Sequence, residues 1–387
     1  MSDPDIPCFK RLAFVIPIPG CFARSMTNWD KTKRRFKAFL IRLTHWEFWP
    51  AGVFYIPVGL NLIRLALKYD GLLLPLATNP GKHRGAYIGE SKGRSLELLQ
   101  SKFPDFIART WLVDGEAPEE RIQFVKSVMA SNGVTIPFIL KPDDGNRGGG
   151  VRMVRKEKDI ETYFRAIRGP VVMQAFVEGP KEAGVFYIRH PEEERGCIFA
   201  ITRKEFPYVT GNGTDTLEEL IWKDERAYLV ADKYLNRFRD QLNVVPAKGE
   251  HWRLVNAGNH AQGCVFYDGM TLASEALLDR LDEISRGFPK FYLGRYDVRY
   301  ATDEDLKTGT NFQILEVNGS LSEATSIYEP GYPLTKAYGK LFEQWEHVFK
   351  IGTWNRKNAG AKTPTIQQIL AKGREYKKQR ATYPDTD

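Results

Sequence analysis

The sequence predicts an α+β chain, and three observations carry that reading. Two strand-like stretches near residue 300, residues 294–299 and 314–320, flank a polar, turn-rich segment and so suit an antiparallel hairpin. A loop with four glycines in six positions, at 145–150, joins a strand expected at 134–142 to another at 151–155. Helical periodicity recurs between strands instead of in a block of its own, as at 118–131 and 159–168.

At 387 residues the chain has room for roughly two or three domains. Hydrophobic residues at 42% and charged residues at 27% are ordinary for a globular protein and exclude a disordered chain. The formal charge of +8 favours an anionic partner without choosing among nucleotide, acidic substrate, nucleic acid and membrane surface. Cys8, Cys21, Cys197 and Cys264 form no CxxC pair, so they read as reduced thiols, neither a disulfide nor a zinc framework. The first residues are acidic and their apolar stretch is broken by prolines, so a cytoplasmic chain without a cleaved leader is expected.

Taken in order, residues 27–43 interleave Lys31, Lys33, Arg34, Arg35, Lys37 and Arg42 with Phe36, Phe39, Leu40, Ile41 and Leu43, which predicts a basic amphipathic helix. An aromatic stretch at 45–50 and an apolar run at 51–67 follow. A spanning helix takes about 20 mostly apolar residues, and Pro57, Asn61 and Arg64 interrupt this one. Residues 27–67 therefore suit either peripheral contact with a membrane surface or a buried helix pair. His45 and Glu47 read as hydrogen-bonded polar tips among aromatics, since two residues do not make a metal site. Lys82, His83 and Arg84, in a glycine-punctuated loop at 78–85, suit an anion or a solvated turn.

Beyond that loop a helix is expected at 93–102, a strand at 106–113 and a helix at 118–131 stopped by Asn132 and Gly133. Further strands are expected at 170–177, 185–189 and 197–203. A loop then ends in a helix capped by Thr214 or Asp215, and a charged helix is expected over 222–242. A polar glycine loop at 256–263, a helix over 272–288 and, from 353, a basic surface helix with a frayed tail complete the chain.

Chemistry concentrates in two places. Alternation puts Arg295, Asp297 and Arg299 on one face of the first hairpin strand, and Glu316 and Asn318 on one face of the second. Two carboxylates and an amide oxygen suit Mg²⁺ completed by water and phosphate oxygens, and a neighbouring arginine suits developing negative charge. The bland alternative is a solvated sheet face with alternating charges. In the second place, glycines 145–150 free the backbone to meet phosphate oxygens, and Lys141 adds a point charge. This is not a Walker loop, because it lacks Gly-Lys-Ser/Thr and runs into a strand. No Ser-His-Asp or Cys-His constellation is evident.

Read together and in order, Lys92, Lys141 with its glycine loop, residues 173–177, Glu182, Arg295, Asp297, Glu316 and Asn318 resemble the ATP-grasp superfamily over roughly residues 88–345. The likeness is to D-alanine-D-alanine ligase-like and cyanophycin synthetase-like carboxylate-amine ligases, the latter also through residues 207–221. The resemblance implies two α+β subdomains gripping ATP. It assigns Lys92 and Lys141 to the phosphates, with Gly148, Gly149 and Gly150 in the loop over the γ-phosphate. Met173, Gln174, Ala175, Phe176 and Val177 take the adenine hinge, where Gln174-Ala175 departs from the family's usual Glu-Lys. Glu182 falls at the ribose, Leu315 beside the nucleotide, Asp297, Glu316 and Asn318 at Mg²⁺ or Mn²⁺, and Arg295 over the transferring phosphoryl group. Lys141 and Arg295 count as catalytic.

The domain limits expected are 1–87 for an atypical N-terminal region, 88–172 and 173–350 for the two subdomains, and 351–387 for a basic tail. The activity implied is ATP-dependent ligation of a small-molecule carboxylate to an amine or thiol through an acyl phosphate. A non-catalytic nucleotide module that switches an N-terminal surface is the alternative. Nucleic acid is not expected, because the basic residues gather near the termini without a binding fold.

Overall fold

The computed structural model describes residues 26–81, 91–145, 149–255, 258–260 and 263–383. The chain opens with α1 (Asn28–Thr44), where Thr27 and Asp30 close a capping box, followed by the short α2 (Ala51–Phe54) and by α3 (Ile56–Lys68) with Pro57 in its first turn. α4 (Lys92–Gln100) leads to β1 (Thr110–Val113), α5 (Pro118–Asn132), β2 (Phe138–Pro142), β3 (Arg152–Val154), α6 (Glu157–Ala166) and β4 (Val171–Ala175). These strands pair in the order β1-β4-β2-β3, antiparallel throughout, and α5 and α6 bury Val125, Val128, Ile160 and Phe164 against them.

Next come β5 (Lys181–Ile188), β6 (Cys197–Glu205), β7 (Tyr208–Thr210), α7 (Leu217–Lys223), α8 (Ala231–Arg237), β8 (His251–Arg253), β9 (Val265–Asp268) and α9 (Glu275–Gly287). β10 (Leu293–Tyr300), α10 (Asp303–Lys307), β11 (Phe312–Asn318), α11 (Leu334–Asn358) and α12 (Ile366–Arg380) finish it. The second sheet runs β11-β10-β5-β6-β9. Period-two alternation divides it, interrupted by register shifts at Phe186/Tyr187 and Asp297/Val298. Ala183, Val185, Tyr187, Tyr296 and Val298 face an apolar layer with Leu96, Leu99, Leu277, Leu281 and Ile284 from α4 and α9. The opposite face is apolar only at one end, where Phe186, Ile188, Phe199 and Leu293 meet Val348 and Ile351 of α11. Its other end carries Glu182, Lys204, Arg295 and Asp297, so the fold leaves a polar floor beside a packed one.

Several expected boundaries move for local reasons. The strand expected at 106–113 starts only at Thr110, because Pro104–Phe106 makes a 3-10 turn. The strand expected from 134 starts at Phe138, just past Pro137, which has no N–H for a ladder. The helix expected over 222–242 is interrupted: the Asp224 carboxylate accepts from the backbone N–H of Arg226 and Ala227 at 3.0 and 2.7 Å, which turns the chain between α7 and α8. Thr216 caps α7 with Glu219 three residues on, while Asp215 is occupied by Asn212 and Lys223. The segment expected to be plain turn between the hairpin strands holds α10, capped by Thr302. α11 continues through residue 353 before α12 begins.

The N-terminal helices are neither free nor fully buried. α1 seats Ala38 in the cluster around Trp222 and Tyr234, and Lys31 reaches Glu218 at 2.5 Å. α3 seats Leu65 against Leu74 and Phe349, and Trp46, Phe54 and Val58 pack on Ile327, Ala337 and Leu341. Each helix thus buries one side against the body and leaves the other exposed.

Candidate active site

β10 and β11 pair antiparallel with Arg295 opposite Asn318 and Asp297 opposite Glu316, so the alternation read from sequence puts these four groups on one face. Arg295 donates through Nε to Asp297 Oδ1 at 3.0 Å and through Nη1 to the Glu323 carbonyl at 3.0 Å. Asn318 Nδ2 donates to Asp297 Oδ2 at 3.0 Å. Room for the arginine comes from Gly184 on the neighbouring strand, where a Cβ would stand 2.9 Å from Arg295 Cδ.

Lys204, which the sequence reading ends one residue short of, proves central. Its Nζ donates to Glu182 Oε1 at 2.8 Å and to Asp297 Oδ1 at 3.0 Å, deep in the floor between three strands. Arg299 completes the row by donating to Glu182 Oε2 at 3.0 Å and to the Val177 carbonyl at 3.1 Å. Glu182, expected at a ribose, is therefore held between two cations. Burial alone would raise both carboxyls; instead Lys204 and Arg299 hold Glu182 below its ordinary value, and Arg295 and Lys204 hold Asp297 well below it. Burial disfavours the charged Lys204, and the two carboxylates outweigh it.

Two lysines come from the other sheet and its leading helix. Lys92 opens α4 and sits 2.7 Å from Glu316, with a second contact to the Gly145 carbonyl. Lys141, in β2, donates to Gln174 Oε1 and to the Leu315 carbonyl, both at 3.0 Å. Gln174 Nε2 donates to Thr110 Oγ1 at 3.0 Å and to the same Leu315 carbonyl at 3.1 Å. Lys141 and Gln174 thereby stitch β2 and β4 to β11. Burial pulls the Lys141 ammonium down to about 8, with Glu316 opposing and Lys92 assisting.

The inner cluster thus holds Lys92, Lys141, Lys204, Arg295 and Arg299 against Glu182, Asp297 and Glu316. Within that cluster five cations face three carboxylates, a surplus of two positive charges on one part of a cleft of about 1300 Å³ whose lining also carries Glu47, Asp144, Asp232 and Glu323 among further arginines and Lys233, a setting for a polyanion. Among the described residues no three His, Cys, Asp or Glu side chains gather as a metal site. The donor set of Asp297, Glu316 and the Asn318 amide nevertheless fits Mg²⁺, which takes hard oxygens and needs few from protein when phosphates supply others.

Other expected residues sort as follows. Gln174, Ala175, Phe176, Val177 and Leu315 line the cleft, whereas Met173 is fully buried in the core of the four-stranded sheet and lines nothing. Gly150, at φ 73°, is buried against Pro142 and Tyr383, and Gly149 precedes it. Gly148 and the basic residues 82–84 lie outside the described residues. Glu47 accepts from Arg226 at 3.0 Å and His45 Nδ1 lies 3.0 Å from the Ile41 carbonyl, so the two do not converge on a metal.

The far end of the cleft comes from a region sequence reasoning leaves unassigned. Trp46, Glu47, Phe48, Trp49, Phe54 and Tyr55 form its wall. Tyr55 donates to Glu323 at 2.7 Å and lies 2.8 Å from the Tyr328 hydroxyl, and Trp46 donates to the Tyr332 carbonyl at 2.6 Å. The density of aromatics at 46–55 is the one signal in the sequence that marks this wall.

No protein-family model matches this sequence, and no curated protein matches it. Among solved structures the chain is similar to a D-alanine–D-alanine ligase from Bacillus anthracis, at 12% identity over 70% of this chain and 69% of that one, TM-score 0.38. It is similar to the VanG D-Ala:D-Ser ligase from Enterococcus faecalis at 13% identity over 66% and 61%, TM-score 0.37. A bifunctional glutathione synthetase from Pasteurella multocida aligns at 13% identity over 65% of this chain but 36% of its own length, TM-score 0.33. Likenesses this distant carry no argument about chemistry, which rests on the side chains above.

Proposed function

We propose that this chain is an ATP-dependent ligase with the ATP-grasp fold, joining a small-molecule carboxylate to an amine or thiol and releasing ADP and phosphate. The observation that supports it most is the seam where five cations from two sheets and α4 meet three carboxylates and an amide. The domain limits expected from sequence belong to this proposal, with the sheet of β1 to β4 and the sheet of β5, β6 and β9 to β11 on the two sides of the nucleotide.

In this reading Phe176 and Val177 border the adenine, Glu182 takes the ribose, and Lys92, Lys141 and Lys204 hold the phosphates. Mg²⁺, or Mn²⁺, held by Asp297, Glu316 and Asn318 supplies further neutralisation of phosphate charge. A substrate carboxylate oxygen attacks the γ-phosphorus, the bond to the β-phosphate oxygen breaks, and ADP leaves. Arg295 stands over the transferring group and stabilises its charge. The amine then attacks the acyl carbon, its proton passes to solvent, and inorganic phosphate departs. No protein nucleophile takes part, so positioning and electrostatics account for the rate.

The test is ATP-dependent phosphate release over pools of carboxylates and amines, with hydroxylamine added in place of the amine to trap the acyl phosphate as a hydroxamate. Hydroxamate formation that needs both ATP and a carboxylate is expected. ATP binding with neither phosphate release nor hydroxamate in any pool overturns the reading in favour of a nucleotide-binding switch.

A further inference from the structure

The loop that follows β11 is built around one carboxylate. Gln344 of α11, fully buried, brackets it: Gln344 Oε1 accepts from the Ala324 N–H at 2.9 Å, and Gln344 Nε2 donates to the Ser322 carbonyl at 2.7 Å. Between these anchors the Glu323 carbonyl accepts from Arg295 Nη1 at 3.0 Å. The side chain is fixed as well. Tyr55 donates to Glu323 Oε2 at 2.7 Å, and Tyr328, whose hydroxyl lies 3.3 Å from that oxygen and 2.8 Å from the Tyr55 oxygen, donates into the same pair. Burial and the neighbouring carboxylate push the Tyr328 hydroxyl far above its ordinary value, so it stays a donor. Four side chains, none nearer than five residues in sequence, therefore hold one half-buried carboxylate and its backbone in a fixed place.

Glu323, Tyr55 and Tyr328 line the cleft, and their place in it decides what they face. On one side stands Arg295, which turns Nε and Nη2 to Asp297 and Nη1 to the Glu323 carbonyl, so the carboxylate itself is met by hydroxyls. On the other side is an aromatic surround: the Tyr328 ring stacks on His260 at 5.4 Å and lies 5.6 Å from Trp46, and Tyr55 meets Phe54 edge-on at 5.0 Å. Glu47, in the same end of the cleft, faces Arg226 at 3.0 Å. The hydroxyls on Glu323, in contrast, steady its charge without cancelling it. A carboxylate among apolar rings attracts a cation more strongly than one in water, and ring faces add to the attraction for an ammonium group. We infer that Glu323, positioned by Tyr55 and Tyr328, recognises the second substrate, a primary amine that arrives as an ammonium ion with its carbon body against the aromatic wall. The inference rests on the ligase reading and narrows it, because it selects an amine over a thiol. It also gives the N-terminal region a chemical task, since Tyr55 comes from the join of α2 and α3.

The experiment compares two kinds of nucleophile in the full-length protein, with ATP and the carboxylate found in the pooled assay. One is hydroxylamine, uncharged at neutral pH; the other is a panel of primary amines that are cationic there, namely ammonium, ethanolamine, lysine and phenethylamine. The wild type is expected to join at least one amine that carries a carbon body, seen by mass spectrometry of the product, and to use ammonium poorly. Glu323→Gln keeps an acceptor oxygen for the two tyrosines and removes the charge. It is expected to raise KM for that amine about 10–100-fold, with a far smaller fall in hydroxamate formation. Tyr55→Phe is expected to raise the same KM about threefold to tenfold. A Glu323→Gln enzyme with the wild-type KM for the amine overturns the inference, and so does one that loses amide and hydroxamate in equal measure, which makes Glu323 a support of the nucleotide end. Hydroxamate from the wild type with no amine of the panel joined overturns it too and leaves the ligase reading standing. No hydroxamate from any carboxylate overturns the ligase reading itself, and the inference with it.

Discussion

Lys204 touches two carboxylates from two strands, so its removal reads out the site more sharply than any other single change. Lys204→Met leaves Glu182 Oε1 and Asp297 Oδ1 facing each other with a methyl group between them. Loss of one such preorganised cation is expected to lower ATP-dependent turnover by about 10²–10³-fold, measured as steady-state phosphate release. Arg295, Asp297, Glu316 and Asn318 are legible from sequence because strand alternation is a local rule and a hairpin sets their register. Lys204 is not, since its partners are Glu182 on the neighbouring β5 and, across that strand, Asp297, 93 residues away, and no local pattern links them. A second residue-scale prediction concerns His190 and His347, whose Nε2 and Nδ1 lie 2.9 Å apart, a contact that needs a neutral ring. Burial holds both below the ordinary histidine value. The unfolded chain takes up protons near pH 6.5 while the folded pair resists them, so this contribution is fully present above about 6.5 and lost as pH falls below it. The urea midpoint is therefore expected to fall on acidification, and His347→Gln to flatten that dependence.

Among elements, α12 invites a direct test, because it buries none of its own residues yet its end reaches the glycine loop. Tyr383 donates to Asp144 and packs beside Gly150, and Thr382 Oγ1 accepts from the Arg168 N–H at 3.1 Å. Removing residues 361–387 breaks about two hydrogen bonds and is expected to cost roughly 1–2 kcal/mol of stability, read by urea denaturation. The same truncation is expected to raise KM for ATP several-fold, and unchanged nucleotide affinity would show that the tether does not steady the loop. Legibility at this scale follows the strength of punctuation. The stop of α5 at Gly133, in the left-handed region at φ 61°, is plain in the sequence. The break between α7 and α8 rests on a single Asp224 side chain, which a periodicity count passes over.

At the scale of the molecule, the two sheets meet at a seam where Lys141 and Gln174 hold the Leu315 carbonyl, Lys92 meets Glu316, and the Ala108 N–H donates to the Ile314 carbonyl at 3.0 Å. In the proposed complex, a nucleotide gripped from both sides adds contacts across that seam. ATP with Mg²⁺ at about a hundred times its Kd is expected to stabilise the fold by about 2.7 kcal/mol, visible as a rise in melting temperature, and Lys141→Met to diminish it. The polar floor is foreseeable from alternation, whereas the wall formed by residues 46–55 is not, because they reach it through partners far along the chain, among them Arg226, Glu323, Tyr328 and Tyr332. That wall has a thermodynamic corollary. A molecule bound against residues 46–55 adds its binding energy to contacts that also hold α1 and α3 to the body. Occupancy of the cleft and protection of those helices from local unfolding are then two readings of a single coupling energy, and titrating either one measures the other.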